Sequence, residues 1–233
     1  MAPNTSLLST AFGPEQAATY DDRFSKLNAI KDTMHLILRT HFQHLPETAR
    51  ILVAGAGTGA EVRFLAGLFP HWRFTLADPA AAMLDIARRH AEAEGFAGRC
   101  VFHNDYVSTL DESGFDAATS LLVSHFLTDA AGREAYFRSI AERLAPGARL
   151  FNADLCADAS SPDFPALMDV WLDLMSHAGM AEEGREHYRA AFGRDFAAHG
   201  PAEVESMIGA AGFDHPVQCF QAGLIRGWVT RRA

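Results

Sequence analysis

The sequence predicts a three-layer α/β fold around a mostly parallel sheet, and three observations predict it. Short apolar runs alternate with amphipathic helical stretches, the first run ends in closely spaced glycines, and the second ends in an acid. In Ile51-Leu52-Val53-Ala54-Gly55-Ala56-Gly57-Thr58-Gly59 a buried strand runs into a turn where the backbone bends sharply and leaves no room for a Cβ. In Arg73-Phe74-Thr75-Leu76-Ala77-Asp78 a second strand closes on a carboxylate, about 20 residues after the first glycine. At 233 residues, 48% of them hydrophobic, the chain suits one domain with a substantial core.

The elements follow in order. Residues 1–14 carry Pro, Asn, Thr and Ser and read as a loose arm. From 20 to about 45, Phe24, Leu27, Ile30, Met34, Ile37, Leu38 and Phe42 recur at helical spacing. That predicts one long amphipathic helix, a lid over about 15–45, ended by Pro46. Strand one covers 51–54 and its helix about 60–69. Strand two covers 73–77, and the helix from 80 to about 94 is closed by Gly95. Strands three and four cover 100–103 and 115–122. A helix over about 131–144 is stopped by Pro146-Gly147 before strand five at 149–154. Strand and helix thus alternate five times on short connections, which calls for parallel strands with right-handed crossovers. Residues 165–178 and 181–192 then read as paired helices in an insert of about 160–195. A helix over 201–211 and two strands at about 216–221 and 224–230 follow, the strands forming an antiparallel hairpin around Gly223. The expectation is a single domain, 1–233, with a Rossmann-like sheet of seven strands.

Composition narrows the function. A net charge of −9 opposes a grip on long nucleic acid, and the 18 arginines and two lysines are scattered except for Arg88-Arg89 and Arg231-Arg232. No run of 18 apolar residues predicts a membrane span. The N-terminus lacks the basic end and apolar core of a signal peptide, so the cytoplasm is the expected compartment. Cys100, Cys156 and Cys219 lie far apart without a CxxC, and the histidines do not pair with an acid at HxxxH spacing. Neither a disulfide framework nor a metal site is expected. A small soluble substrate is, and the N-terminal helix or terminal hairpin is where a second copy would dock to form a homodimer.

The glycine turn and Asp78 together point to an adenosine-containing ligand, since an acid at that spacing meets a ribose diol. The alternative is that Asp78 caps the helix that starts near Ala80. The order of motifs resembles the class I S-adenosylmethionine-dependent methyltransferase fold, over residues 20 to 231. The resemblance rests on the glycine turn, Asp78, Asn104-Asp105-Tyr106, the strand Phe115-Asp116-Ala117-Ala118-Thr119-Ser120-Leu121-Leu122, and Arg143-Leu144-Ala145-Pro146-Gly147-Ala148-Arg149-Leu150. It implies S-adenosylmethionine as cofactor and S-adenosylhomocysteine as product. Gly55, Ala56, Gly57, Asp78, Pro79, Met83, Asn104, Asp105, Tyr106 and Leu121 would bind it, with Met83 serving either the adenine or the core. The family often places an acid two residues before the first glycine, where Val53 stands here. The partner for the methionine end is then sought on the N-terminal helix, at Tyr20, Arg23 or Lys31.

Within that fold the chain is similar to the carboxy-S-adenosylmethionine synthase branch. The similar parts are Tyr20-Asp21-Asp22-Arg23, the paired helices after strand five and Cys219-Phe220-Gln221. That likeness implies a carboxylate-handling role for Arg189. His125, after strand four, stands where an acceptor would lose a proton; it reads either as a general base or as packing. Asp154 and Trp171 join Arg189 as expected acceptor contacts, the aromatic residues of the insert reading equally as core. The reading is methyl transfer to a small-molecule acceptor. Carboxylated-cofactor synthesis and non-catalytic cofactor binding are the alternatives, and a nicotinamide reductase is the weakest rival.

Overall fold

The computed structural model describes residues 13–233. The predicted N-terminal helix is two helices, α1 (Pro14–Phe24) and α2 (Asn28–Phe42), joined by a 3₁₀ turn at Ser25–Leu27. The break has a local cause. Ser25 Oγ donates to the Asp22 carbonyl at 2.7 Å, the kind of side-chain bond that competes with the helix. Leu27 then leaves the helical region at φ −100°, ψ 15°. Apolar periodicity runs straight through this point, which is why the sequence reads as one helix.

Next come β1 (Arg50–Ala54), α3 (Ala60–Leu68), β2 (Arg73–Ala77), α4 (Ala81–Ala93), β3 (Cys100–His103) and β4 (Phe115–Leu121). The expected alternation fails once, between β3 and β4, where only a 3₁₀ turn at Val107–Thr109 intervenes. That link is barely as long as the dozen or so residues a helical crossover needs. Buried Val107 and Leu110 fill the space a helix would cover. α5 (Ala130–Arg143) runs directly into β5 (Leu144–Leu155), a longer strand than predicted. The helix ends within a residue of expectation, but the pair Pro146-Gly147 is part of β5 rather than a turn ahead of it. The pair lies in a bulge where the register slips from Phe115–Leu144 to Ala117–Arg149. The insert consists of α6 (Phe164–His177) and α7 (Glu182–Ala191). α8 (Pro201–Ala210), β6 (Val217–Ala222) and β7 (Ile225–Arg231) complete the chain.

The seven strands lie in the order β3-β2-β1-β4-β5-β7-β6. The first five are parallel, and β7 runs antiparallel to both β5 and β6, as the hairpin predicts. Alternation along β1 sorts the core. Ile51 and Val53 join Leu38 and Phe42 of α2, Leu65 of α3 and Trp171 of α6. Leu52 and Ala54 face Phe137 and Ile140 of α5 and Ile208 of α8. Both faces are covered, so the inner strands are largely apolar, with buried Thr75, Thr119, Ser120, Asn152 and Asp154 as the polar exceptions. Chain order reverses between β1 and β4, and the carboxyl ends of strands at such a point form a natural ligand crevice. Among the described residues no helix is long and apolar enough to cross a membrane.

Candidate functional site

The glycine turn forms one wall of that crevice. Gly55 has φ +72°, and a Cβ there would stand inside the contact radius of the Val123 side chain just beyond β4. Its N–H and that of Ala56 donate to the Ala77 carbonyl at 2.8 and 3.3 Å, locking the turn onto β2. Gly57, φ +53°, is different: the nearest atom to a Cβ there is Met83 Cε at 3.6 Å, so the space beside it is open. Met83 is buried with Ala17 of α1 and Ile86, and Tyr20 packs on that cluster. Met83 is thus core to α4 and borders the turn.

Asp78 is buried at the end of β2. Its Oδ2 accepts from Gly57 N and its Oδ1 from Ala80 N, each at 2.8 Å. The carboxylate therefore ties down the chain just ahead of α4, whose N-cap is Ala80 with no side-chain cap bond, and braces the glycine turn, while each oxygen keeps a lone pair for a further donor. Burial raises its pKa and these two N–H bonds oppose the rise. Asn104 Nδ2 donates to the Asp78 carbonyl at 3.0 Å, Asp105 Oδ1 accepts from Tyr106 N at 2.7 Å, and the buried Tyr106 hydroxyl has no partner. Pro79 is exposed and Leu121 half-buried at the crevice mouth. Leu122, with φ +60°, stores strain beside it.

The N-terminal segment meets the turn differently from expectation. Lys31 pairs at 4.0 Å with Asp32 on its own helix, and the Arg23 side chain lies outside the described residues. Among the described residues Asp21 reaches the turn, its Oδ1 accepting from Thr58 Oγ1 at 2.7 Å. His90 Nδ1 sits 3.1 Å from the Thr58 carbonyl and its Nε2 3.9 Å from Asp21. Behind the turn, Glu61 is buried in the first turn of α3 and takes a 3.4 Å bond from Thr119 Oγ1. Burial lifts its pKa to about 7. Val53 pairs with Thr119 across the sheet, so a buried carboxyl stands on the same face as the missing strand acid. An acid in a helix's first turn is commonplace on a surface, and nothing in the sequence marks this one as buried.

The other wall belongs to β4 and β5. His125 is buried, and its N and Nδ1 lie 3.0 and 3.1 Å from Asp154 Oδ1. An ionised carboxylate only accepts, so Nδ1 is the donor of this pair. Burial would raise the Asp154 pKa, but Arg133, His125 and Ser124 hold it down to about 2. Asp154 has no exposed surface, so the expected direct contact with an acceptor is corrected: it holds His125 instead. Two more expectations fail. Trp171 is core, its Nε1 donating to Tyr188 Oη at 2.8 Å and its ring filling the space beside Gly223. Arg189 lies on the surface, paired with Asp169 at 2.8 Å. Beside the insert a cavity of about 470 Å³ is walled by Met180, His187, Tyr188, Asp195 and Phe196. Phe196 also stands edge-on to the His125 ring at 6.5 Å.

Sequence reasoning missed the polar shell of Asp154: Ser124, Arg133 and Asn152. One signal was available. Arg133 occupies a place in the apolar stripe of α5, in step with Phe137 and Ile140.

Residues 52–150 match a family model described as a methyltransferase domain. No curated protein gives a significant match. Among solved structures the chain is similar to an O-methyltransferase family protein from Burkholderia thailandensis, at 15% identity and TM-score 0.69, over 96% of this chain and 64% of that one. It is also similar to the mitomycin 7-O-methyltransferase MmcR (20%, TM-score 0.61, 98% and 57%) and to the CurJ carbon methyltransferase (14%, TM-score 0.58, 82% and 51%). The likeness is one of fold, and the chain spans about half to two thirds of the length of these proteins.

Proposed function

We propose that this protein transfers a methyl group from S-adenosylmethionine to a small-molecule acceptor. The observation that carries the reading is the Asp78 carboxylate, bonded to Gly57 N–H across an open glycine turn. Its spare lone pairs suit a ribose diol, and the unpartnered Tyr106 hydroxyl and Asp105 suit the adenine side. When bound, the cofactor supplies an activated methyl on a sulfonium. The chain's own residues then have modest work to do. They align the acceptor, keep water out, and take a proton where the acceptor must lose one. His125 Nε2 is the proton acceptor, with Asp154 stabilising the imidazolium that forms. The cavity behind Phe196 seats the body of the acceptor, and its Met and aromatic walls suit a partly apolar molecule. Carboxylated-cofactor synthesis is disfavoured because Arg189 is paired with Asp169 on the surface.

Calorimetric titration with S-adenosylmethionine, S-adenosylhomocysteine and NADH tests the cofactor. Micromolar binding of the first two, with no NADH signal, is expected. Binding of neither sulfur compound removes the proposal. His125→Ala should lower turnover far more than cofactor affinity. An equal loss of both would make His125 a wall residue.

A further inference from the structure

Arg133 carries no solvent-exposed surface, although burial strips a guanidinium of its water. Its Nε donates to Ser124 Oγ at 2.9 Å, and its Nη1 faces His199 Nδ1 at 3.4 Å. Its Nη2 approaches Asp154 Oδ2 at 3.2 Å as an ion pair, outside hydrogen-bond alignment. Ser124 Oγ also donates to Oδ2, at 2.5 Å, and Asn152 Nδ2 does so at 2.9 Å. Three groups from β5, the turn after β4 and α5 thus hold Oδ2. Oδ1 is left to the backbone N and the Nδ1 of His125.

We propose that Arg133 and Ser124 are positioning residues that pin Asp154 as an ionised carboxylate with Oδ1 turned to His125, fixing the imidazole as the tautomer with Nδ1 protonated and Nε2 bare. This deepens, and rests on, the reading of His125 as the proton acceptor. The physical need is plain. A buried carboxyl without a cation takes up a proton. A protonated Asp154 could donate to Nδ1, and Nε2 would then carry hydrogen and present a donor where a base is required. The Arg133 guanidinium removes that state, which agrees with the depressed pKa of Asp154. His199 completes the arrangement. Burial, then Arg133, lowers its pKa, and a neutral His199 accepts from Arg133 at Nδ1. The segment after the insert also bonds His125 directly, Ala197 N donating to the His125 carbonyl at 2.7 Å with Ala197 held at φ +54°. The imidazole is therefore held by its backbone on one side and by its carboxylate on the other.

The test is ¹⁵N-histidine NMR on the full chain at neutral pH, without cofactor, with His125→Asn identifying the signal. The native protein should show His125 as a single tautomer, protonated at Nδ1. Arg133→Gln and Ser124→Ala should each lose that pattern to a mixture, and Arg133→Lys, which keeps a cation beside Asp154, should restore most of it. If Arg133→Gln does not fold, Ser124→Ala decides. Folded variants with the native tautomer pattern, or a native His125 protonated at Nε2, would overturn the proposal. The readout needs neither donor nor acceptor, so failure of S-adenosylmethionine to bind would sink the methyl-transfer reading without touching this result.

Discussion

The two walls of the crevice are built from different materials. The glycine-turn wall is mostly backbone: left-handed glycines, N–H groups of Gly55 and Ala56 donated to the Ala77 carbonyl, and the Asp78 carboxylate accepting from Gly57 N. The β4–β5 wall is side chain on side chain, with Ser124, His125, Arg133, Asn152 and Asp154 gathered from three elements into the core. A backbone-built wall is local in sequence and tolerates changes in side chains that merely surround it. A side-chain-built wall is non-local, and removal of one member leaves the others buried without partners.

The sharpest way to break this contrast is Arg133→Met, which leaves Asp154 charged and unpaired in the core. It should cost about 3–5 kcal/mol in urea unfolding. A loss below about 1 kcal/mol would mean that the network is not electrostatically coupled. Gly55→Ala strikes the other wall. The clash with Val123 and the left-handed backbone together should cost about 3 kcal/mol. Adding Val123→Ala should recover the clash but not the backbone part; full recovery would show that φ at Gly55 is not strained for alanine.

Glu61 tests the contrast by pH. Its folded pKa of about 7 lies above the ordinary 4.5. The folded state therefore holds a proton that the unfolded chain has released between these values. Its contribution is fully present below about pH 4.5 and is lost as pH rises through 7. Glu61→Gln should flatten that decline and be the more stable form at pH 8, by about 2–3 kcal/mol. Parallel stability curves for the two proteins would remove Glu61 as a buried acid. The smallest effect belongs to Asp78→Ala, which should weaken S-adenosylmethionine binding by about 1–3 kcal/mol in calorimetry. Unchanged affinity would take Asp78 out of the ligand site.

The same contrast explains what the sequence discloses. The glycine turn, Asp78 and every strand were legible, because strand period and turn chemistry act within a few residues. The break at Ser25–Leu27 was not, because the apolar stripe continues through it and one hydroxyl decides the local geometry. Residue type points to Trp171 as an acceptor contact, and the likeness to the carboxy-S-adenosylmethionine synthase branch points to Arg189. Neither shows which side of a helix the insert buries, and the fold put one in the core and the other in water. Asp154 was found by its place at a strand end, but its role was set by Arg133 and Ser124, which are far from it in sequence. An arginine in an apolar stripe is the one trace such a network leaves in the linear chain.

The missing helix between β3 and β4 has a consequence for how the molecule breathes. β3 is one of the two edge strands, and with no crossover helix on one side its Val101 is left 55% exposed. Amide exchange at such an edge proceeds by local opening at a lower free energy than in the centre of the sheet. Asn104, Asp105 and Tyr106 follow directly from this strand. A ligand held there must suppress those openings, so slowed deuterium uptake over 100–106 would report occupancy before any reaction is observed.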